Sequence, residues 1–243
     1  MARSSPRRSG RTVSDPPAPI YNQQSPIDLE EAKAVYHPFD LGQVQFRYPR
    51  TQLTGVPEGQ DPSHAKVNVT DEVLIPLFGL RLRLLQLHFH APSEHLFRGV
   101  AWPLELHLVH EIQGGQLGAT VGSNKLVIAV FFFADADARP REMLSRFGNF
   151  FSRRGNDRRP TTSADTILFN PNHCLPDPAE RTRFYRYEGS LTSGAFDETV
   201  SWLVFERPVP VLEADLLPIL QAADQDPRPV QPLNRRTVLR SFP

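Results

Sequence analysis

The stretch that decides the fold is residues 86–95, QLHFHAPSEH, and a second stretch at residues 104–110, LELHLVH, follows shortly after it. Side chains of an extended chain alternate between two faces, so His88 and His90 project together while the apolar residues beside them point the other way. We therefore predict a β-strand with two histidines on one face.

The second stretch alternates too, and it places Glu105, His107 and Val109 on one face. If the two strands pair as a hairpin, the imidazoles of His88, His90 and His107 converge. Three nitrogen ligands with a fourth position left to water form the protein part of a catalytic zinc site. The spacing therefore predicts an open Zn²⁺ centre, which suits hydrolysis or hydration chemistry because bound zinc lowers the pKa of water to about 7.

Neighbouring polar residues match the needs of such a centre, because ligating imidazoles require partners that fix their tautomer and orientation. Gln86 precedes His88 by two residues, and Glu105 precedes His107 by two, on the same faces. Either can accept a ring N–H. Glu94 lies just past the first strand, where it can anchor a hydroxyl.

Other histidines and an apolar neighbour complete this interpretation. Val109 shares the face of His107 and would form an apolar wall beside the metal, which suits a small uncharged substrate. His95 and His110 fall outside the shared face, and we interpret them as hydrogen-bonded structural residues. A competing interpretation is a cupin-type metal motif with Glu94 as a fourth ligand, but the glycines expected around that motif are absent.

Composition sets limits on the class of protein. The 243 residues carry 27 basic and 27 acidic side chains, which argues against a nucleic-acid or membrane-surface partner. The single cysteine, Cys174, excludes an intramolecular disulfide and is expected to be a small buried residue. The longest apolar run, residues 126–134, is too short to span a bilayer. We expect one domain at residues 20–243, a disordered N-terminal arm at residues 1–19, and a monomer or homodimer.

Many short strands joined by glycine and proline turns, with few helices, predict a mainly β domain. Alternation or apolar runs predict strands at residues 44–48, 66–70, 80–90, 105–111, 126–133, 166–170 and 200–205. Apolar spacing predicts helices at residues 141–153 and 212–223, the second started or kinked by Pro218. Residues 52–63, which contain two glycines and two prolines, are expected to be a loop.

These motifs closely resemble the α-class carbonic anhydrases, especially bacterial and algal forms, from about residue 20 to the C-terminus. The stretches that carry the resemblance are HFH at 88–90, SEH at 93–95, ELHLVH at 105–110, QSPI at 24–27, YEGSLT at 187–192, VSW at 200–202 and RPVQPLN at 228–234. The resemblance implies a large twisted, mostly antiparallel central sheet with a few peripheral helices. It also implies reversible hydration of carbon dioxide to bicarbonate and a proton.

The resemblance also implies residue roles. His88, His90 and His107 would bind the zinc, with Gln86 and Glu105 as their partners. Thr192 is similar to the threonine that accepts a proton from zinc hydroxide and donates its own to a glutamate, here Glu94. The residues that resemble the family's apolar substrate pocket are Val109, Val127, Leu191, Val200 and Trp202.

Three departures from the family pattern bear on these roles. Residues 192–196 read TSGAF where the family usually has Thr-Thr-Pro-Pro-Cys, which removes a rigid turn. The disulfide of secreted members cannot form, which fits a reducing compartment. The aromatic segment that usually precedes the QSPI motif is missing. His64 resembles the family's proton shuttle, yet it falls one residue late when residues 66–68 are aligned with the family strand.

Two alternatives remain open at this point. One is a zinc-binding domain of the same family with little activity, in which the altered Thr192 loop has cost the reaction. The other is a zinc esterase or hydrolase that acts on a larger substrate.

Overall fold

A computed structural model describes residues 22–50, 52–57, 65–114, 123–156, 166–223 and 226–243. The N-terminal arm expected at residues 1–19 and the shuttle candidate His64 lie outside the described residues.

The described residues are mostly strands with two α-helices. The strands are β1 (Asp28–Leu29), β2 (Val35–Tyr36), β3 (Leu53–Pro57), β4 (Lys66–Val69), β5 (Leu74–Leu77), β6 (Leu80–His90), β7 (Leu96–Phe97), β8 (Val100–Ala101), β9 (Leu104–Gln113), β10 (Lys125–Ala134), β11 (Ile167–Phe169), β12 (Phe184–Gly189), β13 (Val200–Phe205), β14 (Val209–Val211) and β15 (Leu239–Arg240). The helices are α1 (Glu142–Asn156) and α2 (Glu213–Ala222). Short 3₁₀ helices lie at Glu31–Lys33, Leu41–Gln43, Pro171–Cys174 and Glu180–Thr182.

One large mixed sheet organises the domain. Among the described strands its order is β11-β3-β4-β6-β9-β10-β13-β12-β15-β2, with β5 beside β6 and β14 beside β10. Most pairs are antiparallel, whereas β10 pairs in parallel with β13 and β14, and β15 with β2. The remaining strands form a small sheet, β1-β7-β8. The predicted mainly β, single-domain fold is confirmed.

The two faces of the central sheet bury different apolar clusters. On β10, Leu126 and Ile128 enter the larger cluster, which also takes Phe147 of α1, whereas Val127 and Ala129 enter the smaller one. Alternating side chains separate the two sets because β10 is covered on both faces. The smaller cluster adjoins the candidate site.

Cys174 is fully buried in the larger cluster, as expected from the sequence. Burial raises the pKa of its thiol to about 12. A thiol held neutral in this way is a poor nucleophile, so Cys174 acts as a small apolar residue.

The structure corrects the expected loop at residues 52–63, because Leu53–Pro57 is strand β3, paired with both β4 and β11. Gly55 and Pro57 suggested a turn from sequence. Gly55 instead permits close packing, since a Cβ built there would lie 2.1 Å from a methyl carbon of Val67.

The expected strand at residues 44–48 is also wrong. Val44, Phe46 and Tyr48 are buried and alternate with exposed residues, yet this segment is not a strand. Packing of alternate side chains against the core produces the sequence pattern without a hydrogen-bonded ladder. Pro218 lies inside α2 rather than at its start. No helix in the described ranges has both the length and the apolar character needed to cross a membrane.

Candidate metal centre

A β-bulge at Leu85 decides which side chains of β6 reach the site. Leu82 and Leu84, which precede the bulge, are buried in the larger core cluster. Leu87 and Phe89, which follow the bulge, are buried in the same cluster. The extra residue shifts the alternation by one position, so even-numbered side chains change faces at the bulge. The glutamine and both histidines of β6 are therefore presented to the opposite face of the sheet.

Strand pairing brings the third histidine to them. His88 on β6 is the register partner of His107 on β9, and His90 is the partner of Glu105. The ring centroids of the three histidines lie 4.8 to 4.9 Å apart. One nitrogen from each ring lies within 4.8 Å of the other two. The structure thus brings together the three residues that the spacing singled out.

Hydrogen bonds behind the rings fix two tautomers. Nδ1 of His88 lies 2.8 Å from Oε1 of Gln86, and Nε2 of His107 lies 2.8 Å from Oε1 of Glu105. Both oxygens only accept, so these two ring nitrogens carry the hydrogens. The other nitrogens, Nε2 of His88 and Nδ1 of His107, then both carry lone pairs, and the two atoms lie 3.1 Å apart. Two acceptors that face each other at this distance repel, and a cation between them would stabilise the arrangement.

Burial keeps the two rings neutral, which metal binding requires. Desolvation lowers the pKa of His88 well below its usual value, and repulsion by His107, His90 and Lys66 adds to the effect. Desolvation also lowers the pKa of His107, although Glu105 opposes the shift. Near neutral pH both imidazoles are therefore ready to donate lone pairs.

The donor set fits Zn²⁺. Two nitrogens bound tetrahedrally to one zinc at about 2.0 Å lie about 3.3 Å apart, close to the spacing of His88 and His107. Three imidazoles suit zinc better than magnesium or calcium, which take oxygen ligands. A second group, His95, Glu105 and His107, has its donors within a similar distance. Its carboxylate already accepts from both rings, which leaves the three histidines as the group that could hold a metal.

Glu94 lies beside the ring nitrogens that face the candidate metal position. Its Oε2 is 3.4 Å from Nε2 of His90 and 3.9 Å from Nδ1 of His107, and its side chain is 2% exposed. Its Oε1 accepts a hydrogen bond of 3.2 Å from the backbone N–H of Arg228. The carboxylate is thus held beside the centre by a residue far away in sequence.

A cavity of about 350 Å³ opens onto the three histidines. Gln86, Glu94 and Thr192 line it. The apolar residues of the predicted pocket that also line it are Val109, Val127, Leu191 and Trp202. Val200 is fully buried in the adjoining apolar cluster and is not among the lining residues.

The lining residues to which the sequence assigned no role include Lys66, Phe196, Asp226 and Arg228. Lys66 was recognisable in principle, because Val67 is a core residue and the alternation then turns Lys66 toward the histidine face. The other three lie in irregular segments, where no periodicity indicates a direction.

A buried network supports Glu105 from behind. Its Oε1 lies 2.7 Å from Nδ1 of His95, and its Oε2 accepts from the backbone N–H of the same residue at 2.9 Å. The hydroxyl of Tyr187 lies 2.7 Å from Nε2 of His95 and 2.9 Å from Oγ of Ser25. His95 therefore has the structural role expected of it. His110 does too, since its Nε2 lies 2.7 Å from the Tyr48 hydroxyl.

Comparison with known proteins identifies the family of this chain. The family model described as eukaryotic-type carbonic anhydrase matches residues 14–242. The chain belongs to the carbonic anhydrase family. A carbonic anhydrase from Nostoc sp. (strain PCC 7120 / SAG 25.82 / UTEX 2576) is 30% identical over 233 residues, which cover 92% of this chain and 77% of the relative. The chain is thus an enzyme of the carbonic anhydrase type, whose general reaction is hydration of carbon dioxide.

Two solved structures share the carbonic anhydrase fold. The α-carbonic anhydrase from Thermovibrio ammonificans, in complex with the inhibitor sulfanilamide, has a TM-score of 0.65 and 29% identity, covering 90% of this chain and 87% of the other. A dioscorin in complex with ascorbate has a TM-score of 0.71 and 26% identity, covering 90% and 85%. The likeness therefore includes one structure with a carbonic anhydrase inhibitor and one with a different small ligand.

Proposed function

We propose that this chain binds Zn²⁺ through His88, His90 and His107 and catalyses the reversible hydration of carbon dioxide to bicarbonate and a proton. The observation that carries the proposal is the pair of lone-pair-bearing nitrogens of the half-buried His88 and the buried His107, which lie 3.1 Å apart while the other nitrogen of each ring donates a hydrogen bond behind it. When bound, the metal acts as a Lewis acid that makes water a nucleophile near neutral pH.

The protein groups around the centre orient the reaction. We assign to the Thr192 hydroxyl the acceptance of a hydrogen bond from the attacking water, and to Glu94 the acceptance of the Thr192 hydrogen. Glu94 suits this role because it is buried beside the three histidines and the backbone N–H of Arg228 holds its Oε1 in place. The fixed direction of the hydroxyl would aim the nucleophile at the carbon atom of the substrate.

The walls of the cavity suit the substrate. Val109, Val127 and Trp202 are nearly fully buried and form an apolar side of the cavity beside the histidines. Carbon dioxide is small and uncharged, so an apolar wall holds it without competing hydrogen bonds. The lining also carries polar groups, including Gln86 and Lys66, which suit an anionic product.

The proposal is tested by measuring bound zinc and carbon dioxide hydration on one preparation. His107→Ala is the test variant and His173→Ala, which removes an exposed histidine outside the cavity, is the matched control. We expect one zinc per chain and activity in the wild type and the control, and loss of both in His107→Ala. Stoichiometric zinc in the wild type, together with a carbon dioxide hydration rate no higher than that of His107→Ala, would contradict the enzyme proposal.

The second candidate is a zinc-binding domain with little hydration activity. The similarity to a dioscorin in complex with ascorbate supports this candidate, because that dioscorin binds a ligand other than carbon dioxide. The same experiment separates the two candidates. Zinc binding together with calorimetric binding of ascorbate, and no hydration, would support this second function.

A further inference from the structure

The loop between β12 and β13 carries Thr192, and its far side is held by an aromatic–guanidinium stack. The guanidinium carbon of Arg228 lies 3.8 Å from the ring centroid of Phe196. The same guanidinium donates hydrogen bonds to the backbone oxygen of Ser25 at 2.6 Å and to Oε1 of Gln24 at 2.9 Å. Its edge is thus fixed by two acceptors while its face is covered by the ring.

The backbone of Phe196 is held by the same group of residues. Nε2 of Gln24 donates to the backbone oxygen of Phe196 at 3.2 Å and to Oε1 of Glu198 at 2.9 Å. Phe196 has a φ of +56°, a left-handed conformation that is uncommon for a bulky residue and persists only where the surroundings determine it. Ring and backbone together therefore fix this point of the loop.

The rest of the loop offers little rigidity of its own. Ser193, Gly194 and Ala195 are exposed, and the segment contains no proline to restrict its backbone. Its stem is closed by a hydrogen bond from the Leu191 N–H to the backbone oxygen of Asp197 at 3.0 Å. The position of Thr192 therefore depends on where residue 196 is anchored.

The anchor is linked directly to the site. Arg228, whose side chain stacks on Phe196, also donates its backbone N–H to Glu94. Phe196, Arg228, Glu94 and Thr192 line one cavity. A single residue thus contacts both the loop that carries Thr192 and the carboxylate that we assign as the partner of Thr192.

We propose that Phe196 is a positioning residue, which through its stack on Arg228 holds the Thr192 hydroxyl in register with Glu94. The inference rests on the proposed role of Thr192 in hydration. It adds a residue outside the motifs, in a loop whose sequence departs from the family pattern.

The test compares Phe196→Ala, Phe196→Tyr and Arg228→Lys with the wild type. Phe196→Ala removes the stack, so we expect kcat to fall about tenfold with little change in KM and full zinc content, since misplacing a catalytic group by about 1 Å can cost up to about 100-fold. Phe196→Tyr keeps the ring face and should restore activity, whereas Arg228→Lys should resemble Phe196→Ala. In a Thr192→Ala background Phe196→Ala should add less than about twofold, because the group it positions is gone.

Hydrogen exchange gives a readout that does not depend on activity. Amides of residues 192–196 should exchange at least about tenfold faster in Phe196→Ala, in both the zinc-loaded and the metal-free protein. Phe78→Ala is the matched control, because Phe78 also has a positive φ, of +53°, and stacks under the guanidinium of Arg186 at 4.6 Å but does not line the cavity. It should leave both the loop exchange and kcat unchanged.

The outcomes separate this inference from the proposed function. Unchanged exchange at residues 192–196 in Phe196→Ala would overturn the anchoring role even if the protein hydrates carbon dioxide. Independent, multiplying losses from Phe196→Ala and Thr192→Ala would overturn the coupling to Thr192. If the wild type proves inactive, faster loop exchange in Phe196→Ala alone still supports the anchor while the hydration proposal fails.

Discussion

Nε2 of His107 donates a hydrogen bond of 2.8 Å to Oε1 of Glu105, two residues earlier on the same strand. Burial alone would raise the pKa of Glu105, but the contacts with His95 and His107 outweigh it and hold that pKa well below its usual range. Glu105 is therefore a buried carboxylate that turns the lone pair of His107 toward the metal position.

Glu105→Gln should weaken zinc binding by about 10- to 100-fold, because the amide carries no charge and its NH2 group cannot accept the backbone N–H of His95 that Oε2 accepts. Competition with a chromophoric chelator measures the dissociation constant. Glu111→Gln is the control, since Glu111 is on the same strand but is 41% exposed and paired with Arg83. Equal zinc affinity in Glu105→Gln and the control would contradict the orienting role.

Thr192→Ala should lower kcat by roughly 100-fold while zinc content stays at the wild-type level, because it removes an oriented hydrogen-bond group and no metal ligand. Stopped-flow hydration assays and metal analysis on the same sample measure the two quantities. Thr199→Ala makes the same chemical change a short distance along the chain, outside the cavity lining, and should behave as wild type. Full activity in Thr192→Ala would show that the loop has displaced this threonine from the role we assign to it.

His110 predicts a pH dependence of stability. Burial lowers its pKa to about 4, from 6.5, so between these values the unfolded chain binds a proton at this residue that the folded chain does not. The contribution to stability is therefore complete above pH 6.5 and is lost as the pH falls, by up to about 3 kcal/mol near pH 4. His110→Gln should reduce the acid-induced loss of unfolding free energy by about this amount.

Denaturant unfolding between pH 7 and pH 4 measures the effect of His110→Gln. His173→Gln, which replaces an exposed histidine, is the comparison variant and should keep the wild-type slope. Parallel curves for wild type and His110→Gln across this interval would rule out the assignment.

The position of Lys66 in the cavity predicts that anions inhibit the activity more strongly when this lysine is present. It is the register partner of His88 and lines the cavity, and its charge contributes to the lowered pKa of His88 after burial and the other two histidines. Lys66→Gln should raise the inhibition constant of thiocyanate by roughly threefold to tenfold, since a nearby positive charge stabilises a bound anion by about 1 kcal/mol in a partly solvated site.

The matched control for Lys66→Gln is Lys33→Gln, an exposed lysine paired with Glu30. Inhibition curves at constant ionic strength remove the general effect of salt. An inhibition constant that is the same in both variants would mean that Lys66 does not act on bound anions.

Much of the site could be predicted because strand periodicity is a local property. The alternation at residues 86–90 and 104–109 requires only that both segments be extended, and it correctly groups Gln86 and His88 with Glu105 and His107. The bounds of β6 and β13 were predicted correctly for the same reason. Residues 44–48 show the limit, since alternate burial occurs there without strand pairing.

The sequence by itself determined which histidines share a face, because side-chain direction follows the two-residue repeat of a strand. Only the tertiary structure decided which face of the sheet that is, since the bulge at Leu85 shifts the alternation within one continuous strand. It also brought Arg228 onto Phe196 and Glu94. Arg228 is 32 positions from Phe196 and 134 positions from Glu94 in sequence. These contacts lie in irregular segments, where no sequence period exists and packing alone sets the direction of a side chain.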